Sequence, residues 1–127
     1  MPAPYRYAVV RLVPRVDREE FINAGVIVFS PERRYLRAEV RCEPTRLCAL
    51  WPSLDPELVR RHLEALQRIA AGDGAVGPIA RLALKERFHW LTAPRSTVIQ
   101  CSPVRTGLAD DLDVELQRLI REVVEQN

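Results

Sequence analysis

Phe21-Ile-Asn-Ala-Gly-Val-Ile-Val-Phe29 is the stretch on which the fold turns. A strand with one wet face alternates apolar and polar residues, because successive side chains point to opposite sides. From Val26 to Phe29 there is no alternation, so this strand is expected to be covered on both faces. Upstream, Tyr5 to Val13 does alternate, with Tyr5, Tyr7 and Val9 on one face and Ala8, Val10 and Leu12 on the other, and it stops at Pro14. Arg15 to Glu20 is a charged connection. Downstream, Ser30 to Arg34 reads as a turn and Tyr35 to Arg41 as a third, alternating strand. Connections this short make the three strands an antiparallel meander.

The pattern then becomes helical. Asp55 supplies a capping carboxylate ahead of Pro56 at the first helical position. Leu58, Val59, Leu63, Leu66, Ile69 and Ala70 follow on one face, and Gly72-Asp73-Gly74 ends the helix. Ile79 to Glu86 reads as a short helix begun at Gly77-Pro78, and Thr97 to Cys101 as a fourth strand. Asp110 to Val124 is the clearest helix, with a stripe of Leu112, Leu116, Leu119, Ile120 and Val123 and with acids at its positive end. Arg118–Glu122 and Arg121–Glu125 are spaced as i,i+4 pairs. Together these elements predict an α+β fold. Its mainly antiparallel four-stranded sheet, the N-terminal meander plus one late strand, would pack with three helices on one side. At 127 residues the chain is expected to form one globular domain, 1–127.

Composition narrows the function classes. The formal net charge of +2 does not call for a nucleic-acid partner. Arg33, Arg34, Arg37 and Arg41, with Arg6 and Arg11, could still form a basic face beside Tyr5, Tyr7 and Tyr35. Glu32, Glu39 and Glu43 interleave with them, and no RNP1 pattern occurs, so a solvated, ion-paired sheet surface is the competing reading. Lys85 is the single lysine among 19 basic residues, a bias that reflects either Arg-rich codon usage or a need for guanidinium forks. Cys42, Cys48 and Cys101 fit neither a C-x-x-C pair nor zinc-ligand spacing, so reduced thiols are expected and no metal or cofactor. No apolar run approaches the ~20 residues of a membrane span, and the N-terminus lacks a signal-peptide pattern, which makes the cytoplasm the expected location.

One segment is too polar and too dense to be only core: Phe88-His-Trp-Leu-Thr-Ala-Pro-Arg-Ser-Thr-Val-Ile-Gln-Cys-Ser-Pro-Val-Arg-Thr-Gly107. Arginine beside hydroxyls, on a chain stiffened by proline, suits a carboxylate or phosphate. Candidate ligand-binding residues are Arg95, Ser96, Thr97 and Gln100, with Asn23 contributing and His89 as the candidate general acid–base. Structural readings compete at each point. Asn23 and Gly25 suit a β-bulge, Thr106-Gly107 the approach to the last helix, and His89, between Phe88 and Trp90, a packed core edge. There is no phosphate-binding glycine loop, no H-E-x-x-H, no G-x-S-x-G and no dinucleotide fingerprint, which excludes P-loop, zincin and Rossmann chemistry.

Tyr7-Ala-Val-Val-Arg11, Phe21 to Phe29 and Arg95-Ser-Thr-Val-Ile-Gln100, closed by Thr106-Gly107 before an acidic helix, resemble the bacterial domain-of-unknown-function family 3037 over almost the whole chain. That family brings no catalytic residues to transfer. The resemblance implies a gene of the kind often encoded beside a kinase-fold protein, and hence an expected partner or regulator of a kinase-like protein. The expected function is a small binding or accessory module with a polar, anion-binding pocket. The alternatives are a hydrolase or transferase of phosphate esters or nucleic acid using His89 and Arg95, and a homo-oligomer joined through the apolar stripe of the last helix.

Overall fold

A computed structural model describes residues 1–14, 20–41, 43, 49, 51–95 and 97–125. The fold is α+β, and its sheet has five strands rather than four. Strand β1 (Ala3–Leu12) is central, antiparallel to β2 (Ile22–Ser30), which is antiparallel in turn to the edge strand β3 (Tyr35–Val40). The other side of β1 is shared. Strand β4 (Ile99–Cys101) pairs with Val10 to Leu12, and β5 (Arg105–Ala109) pairs with Ala3 to Tyr7.

Strand β5 is the one missing from the expected four, since Thr106-Gly107 reads in sequence as the approach to the last helix. It is short, exposed and free of β-branched residues apart from Thr106, so its periodicity carries no strand signal. The break between β4 and β5 has a local cause. Pro103 has no N–H to donate, and the ladder is bridged at Val9 by Ser102. The Ser102 N–H donates to the Val9 carbonyl at 2.8 Å, and the Val9 N–H donates to Ser102 Oγ at 2.8 Å.

The helices cover both faces of the sheet, not one, as the unbroken apolar run of β2 demands. On one face, Val10, Leu12, Ile27, Phe29, Leu36 and Ala38 pack against helix α1 (Pro56–Ala71) and helix α2 (Leu84–Thr92). On the other, Tyr5, Val26 and Val28 pack against helix α3 (Leu112–Ile120), which continues as a π-helical turn, Arg121–Glu125. The apolar stripe of this last helix, Leu112, Leu116, Leu119 and Ile120, is thus buried within its own chain.

Helix α1 begins and ends as its sequence dictates. Asp55 accepts from the Glu57 and Leu58 amides, Pro56 opens the first turn, and Gly72 closes it in the left-handed region at φ 78°. Leu58, expected on the buried stripe, is exposed. The segment expected to be helical from Ile79 to Glu86 divides into a 3-10 turn, Pro78–Arg81, and then α2. The helix runs on to Thr92 because Phe88 and Leu91 are buried, with the Phe88 ring stacked on Phe29 at 4.7 Å.

A bulge does form at Asn23 to Gly25. Val10 faces Gly25 and Arg11 faces Asn23, leaving Ala24 as the extra residue, whose carbonyl accepts from the Arg41 N–H at 2.8 Å. Gly25 is required by close approach, since a Cβ there would lie 2.5 Å from the Glu39 carbonyl oxygen.

The arginine bias has a structural use. Arg87 donates to the carbonyls of Leu82 (2.9 Å) and Ala70 (3.4 Å), tying the end of α1 to the turn before α2. Arg33 donates to Asp110 O (2.8 Å) and Met1 O (2.6 Å), and Arg81 to Gly74 O (3.0 Å). A planar fork can hold two carbonyls of separate segments at once, which a lysine ammonium does with less geometric control.

Candidate functional site

The polar segment does not form one pocket. Its front half completes a groove of about 220 Å³ between α1, α2 and β4, lined by His62, Leu66, Ile69, Trp90, Arg95 and Thr97 among others. Leu66, Ile69, Leu91 and Ile99 make much of its lining apolar. Arg95 stacks over the Trp90 ring with its guanidinium carbon 4.3 Å from the ring centroid. It also donates to Leu91 O at 3.2 Å and to Trp90 O, the open carbonyls at the end of α2. Arg95 therefore caps a helix as well as lining the groove. A guanidinium has five N–H donors, so these two bonds leave others for a ligand. Thr97 Oγ1 is turned back on its own chain and donates to Ile99 O at 2.8 Å.

Gln100 and Asn23 lie across the sheet from this groove. Arg11 of β1 faces Asn23 on one side and Gln100 on the other, so these three residues form a row. Directly paired residues share a face, and the Arg11 row shares that of Val9 and Tyr7, opposite Leu12 and Ile99. In this row Asn23 Nδ2 donates to Val123 O at 3.0 Å and Gln100 Nε2 to Thr97 O at 2.9 Å. Arg11 stacks over Phe21 at 4.2 Å, and Arg11 Nε and Asn23 Oδ1 are buried without a hydrogen-bond partner. By strand register Asn23 and Gln100 lie on the face opposite the groove that Arg95 lines, although Gln100 reaches the backbone of Thr97 at its border. Ser96 lies outside the described residues, as do Cys42 and Cys48.

His89 is exposed on α2 with its ring centroid 6.2 Å from that of Phe88, and it does not line the groove. Cys101 is no ready nucleophile. Burial pushes its thiol up to about 11, and Sγ donates to Leu91 O at 3.4 Å. Among the described residues no three His, Cys, Asp or Glu side chains are placed to hold a metal ion.

Two groove residues escaped the sequence reading as site members. Trp90 was noted only for the polarity of its neighbourhood. In sequence His62 reads only, with His89, as a metal-ligand candidate and not as a member of this site, although His62, Ala65, Leu66 and Ile69 are spaced i, i+3, i+4, i+7 along one strip of α1. That spacing is a usable signal only once a second helix is known to lie beside it.

The face with the tyrosines is occupied by α3. Tyr5 donates to Glu115, and burial with that carboxylate beside it pushes the phenol up to about 12. Tyr35 donates to Asp113 at 2.6 Å, and Arg37 reaches the same oxygen at 2.8 Å. Arg37 and Arg41 both pair with Glu39, and Arg41 also reaches Glu125 at 3.5 Å. The basic stretch of β3 is therefore ion-paired. A second concavity, about 300 Å³ beside Arg33, Tyr35 and Asp110 to Asp113, is lined by these already matched groups.

No helix among the described residues is long and apolar enough to cross a membrane. No curated protein and no solved structure matches the chain. A family model described as "Protein of unknown function (DUF3037)" matches residues 7–124. With nearly all of its length inside that match, from the central strand to the turn after α3, the chain belongs to the DUF3037 family.

Proposed function

We propose that this protein is a binding module whose ligand seats an apolar group in the groove between α1 and α2 and sets an anionic group against Arg95. One observation carries this reading: a groove that combines an apolar lining of Leu66, Ile69, Leu91 and Ile99 with a Trp90–Arg95 stack. Apolar walls with a few placed polar groups are the usual form of ligand sites. The stack holds the guanidinium in place before binding, which lowers the ordering cost. His62, exposed and lining the same groove, adds a second polar group. Binding without turnover is favoured because, among the described residues, no carboxylate lines the groove and His89 stands outside it. The ligand could be a free amphipathic acid or an apolar–acidic segment of a kinase-like protein, which would make the module an accessory factor in the cytoplasm.

The test is thermal melting of the wild type and Trp90→Ala with phosphate, nucleotides, short RNA, and aliphatic and aromatic carboxylates. Trp90 is 40% exposed but supports the Arg95 cap, so its removal should lower the unliganded melt, and each ligand shift is read against that protein's own unliganded melt. A ligand at about one hundred times its dissociation constant should stabilise the wild type by about 2.7 kcal/mol, and Trp90→Ala should lose most of that shift. Equal shifts in both proteins, or none with any compound or with an apolar–acidic peptide, would overturn the reading.

A further inference from the structure

We infer that β5 is a self-pairing edge, and that two copies of this chain join through it into one continuous antiparallel sheet. Among the described residues β5 has a strand partner on one side only, β1. An edge strand leaves alternate N–H and C=O groups unpaired, and proteins usually blunt such edges with charges, proline, bulges or a covering element. None of these devices lies within Arg105-Thr-Gly-Leu-Ala109 beyond Arg105 at its very start. Instead the strand presents Leu108, 69% exposed, one of the most exposed large apolar side chains of the molecule.

The face carrying Leu108 is open as well. Leu108 pairs with Pro4 and Thr106 with Arg6, and all four residues are exposed. They share the parity of Val10 and Leu12, and so lie on the face of α1 and α2, at a corner those helices leave bare.

Charge selects the occupant. The strand is positive at its start, Arg105, and is followed at once by Asp110, whose carboxylate also lies 3.7 Å from the N-terminal ammonium of its own chain, and by Asp111; all three are exposed. An antiparallel copy brings the positive end of each strand beside the negative end of the other, whereas a parallel copy stacks like charges. With a two-fold axis through Gly107, Arg105 faces Ala109 of the second copy, next to its Asp110. On the open face, Leu108 of each copy meets Thr106 of the other. Such an isologous contact closes at two copies. It is a short contact, below the ~1,000 Å² of a stable interface, so the association should depend on concentration in the micromolar to millimolar range.

Sedimentation velocity of the whole chain over that range tests the inference. The wild type should pass from monomer to dimer, with amides of Thr106 to Ala109 gaining hydrogen-exchange protection as it does. Leu108→Lys, a charge at an exposed position, should stay monomeric throughout. Arg105→Asp and Asp110→Arg should each weaken association by about tenfold through like charges across the pair, and the double variant, which merely exchanges the two ends, should restore it. A wild type that is monomeric at every concentration would overturn the inference and leave the edge to an extended segment of another protein. So would a dimer that survives Leu108→Lys and both single reversals, since it would run through another surface.

Discussion

Strand β3 ends the sheet on one side with Tyr35, Arg37 and Glu39, each joined to a partner on a neighbouring element, while β5 ends it on the other with Thr106, Gly107 and Leu108, which carry no charge. The two edges differ in what lies over them. Strand β3 is gripped from both faces, by α1 and α2 through Leu36 and Ala38 and by α3 through Asp113. Strand β5 is held chiefly by its ladder to β1 and by the closeness of Gly107 to Tyr5, whose ring lies 2.6 Å from where a Cβ would be. A closed edge protects a monomer, and an open one is available for pairing.

Gly25→Ala should break the closed edge most severely. Its Cβ would meet backbone, the Glu39 oxygen at 2.5 Å and Val40 Cα at 3.2 Å, so β2 and β3 must separate. A loss of about 3 kcal/mol is expected, the upper end for overpacking, read as a lower urea midpoint with β3 amides exchanging faster. An unchanged midpoint would show that β3 does not need this close approach.

Ser102→Ala should strike the other edge less hard. It removes the acceptor for the buried Val9 N–H where β4 hands over to β5, at an expected cost of about 2 kcal/mol. Exchange should then quicken in Arg105 to Ala109 before it does in β3. Equal loss of protection on both edges would mean that they unfold as one unit.

Acid should separate the edges most gently. Hydrogen bonds from Tyr35 and then Arg37 hold the Asp113 carboxyl below the usual carboxylate range. A carboxyl with a depressed folded pKa stabilises above its unfolded value, and that stabilisation is lost as pH falls through the folded one. Asp113 is largely exposed, so the loss should stay under about 1 kcal/mol and show as faster exchange in β3 on going from neutral to acid. Strand β5 contains no carboxylate and should respond less. Asp113→Asn should flatten the β3 response. A β3 edge equally protected at acid and neutral pH would remove Asp113 from the comparison.

The candidate site was legible in part. Arg95 and Thr97 do meet in a groove, because a chain leaving a helix end has few places to go except along that helix. Gln100 is expected in the site because it follows Arg95 and Thr97 closely in the chain, and Asn23 because it stands where a charged loop becomes an apolar strand. The strand's alternation sends Gln100 to the opposite face from Ile99. His62 lies more than thirty residues from Arg95 in the chain, and only the packing of α1 beside α2 joins them.

The sequence by itself determined the local elements: the meander from its alternation, the covered β2 from its unbroken apolar run, α1 from Asp55, Pro56 and Gly72, and α3 from its stripe. Each depends on residues a few positions apart, whose preferences act before the chain has folded. Tertiary structure alone decided that α3 takes the face opposite α1 and α2, that Arg105 to Ala109 is a strand, and that Trp90 and Arg95 stack in a groove with an apolar lining. Those outcomes depend on which surfaces are left to bury and which backbone groups are left to pair, and neither exists until the other elements are in place.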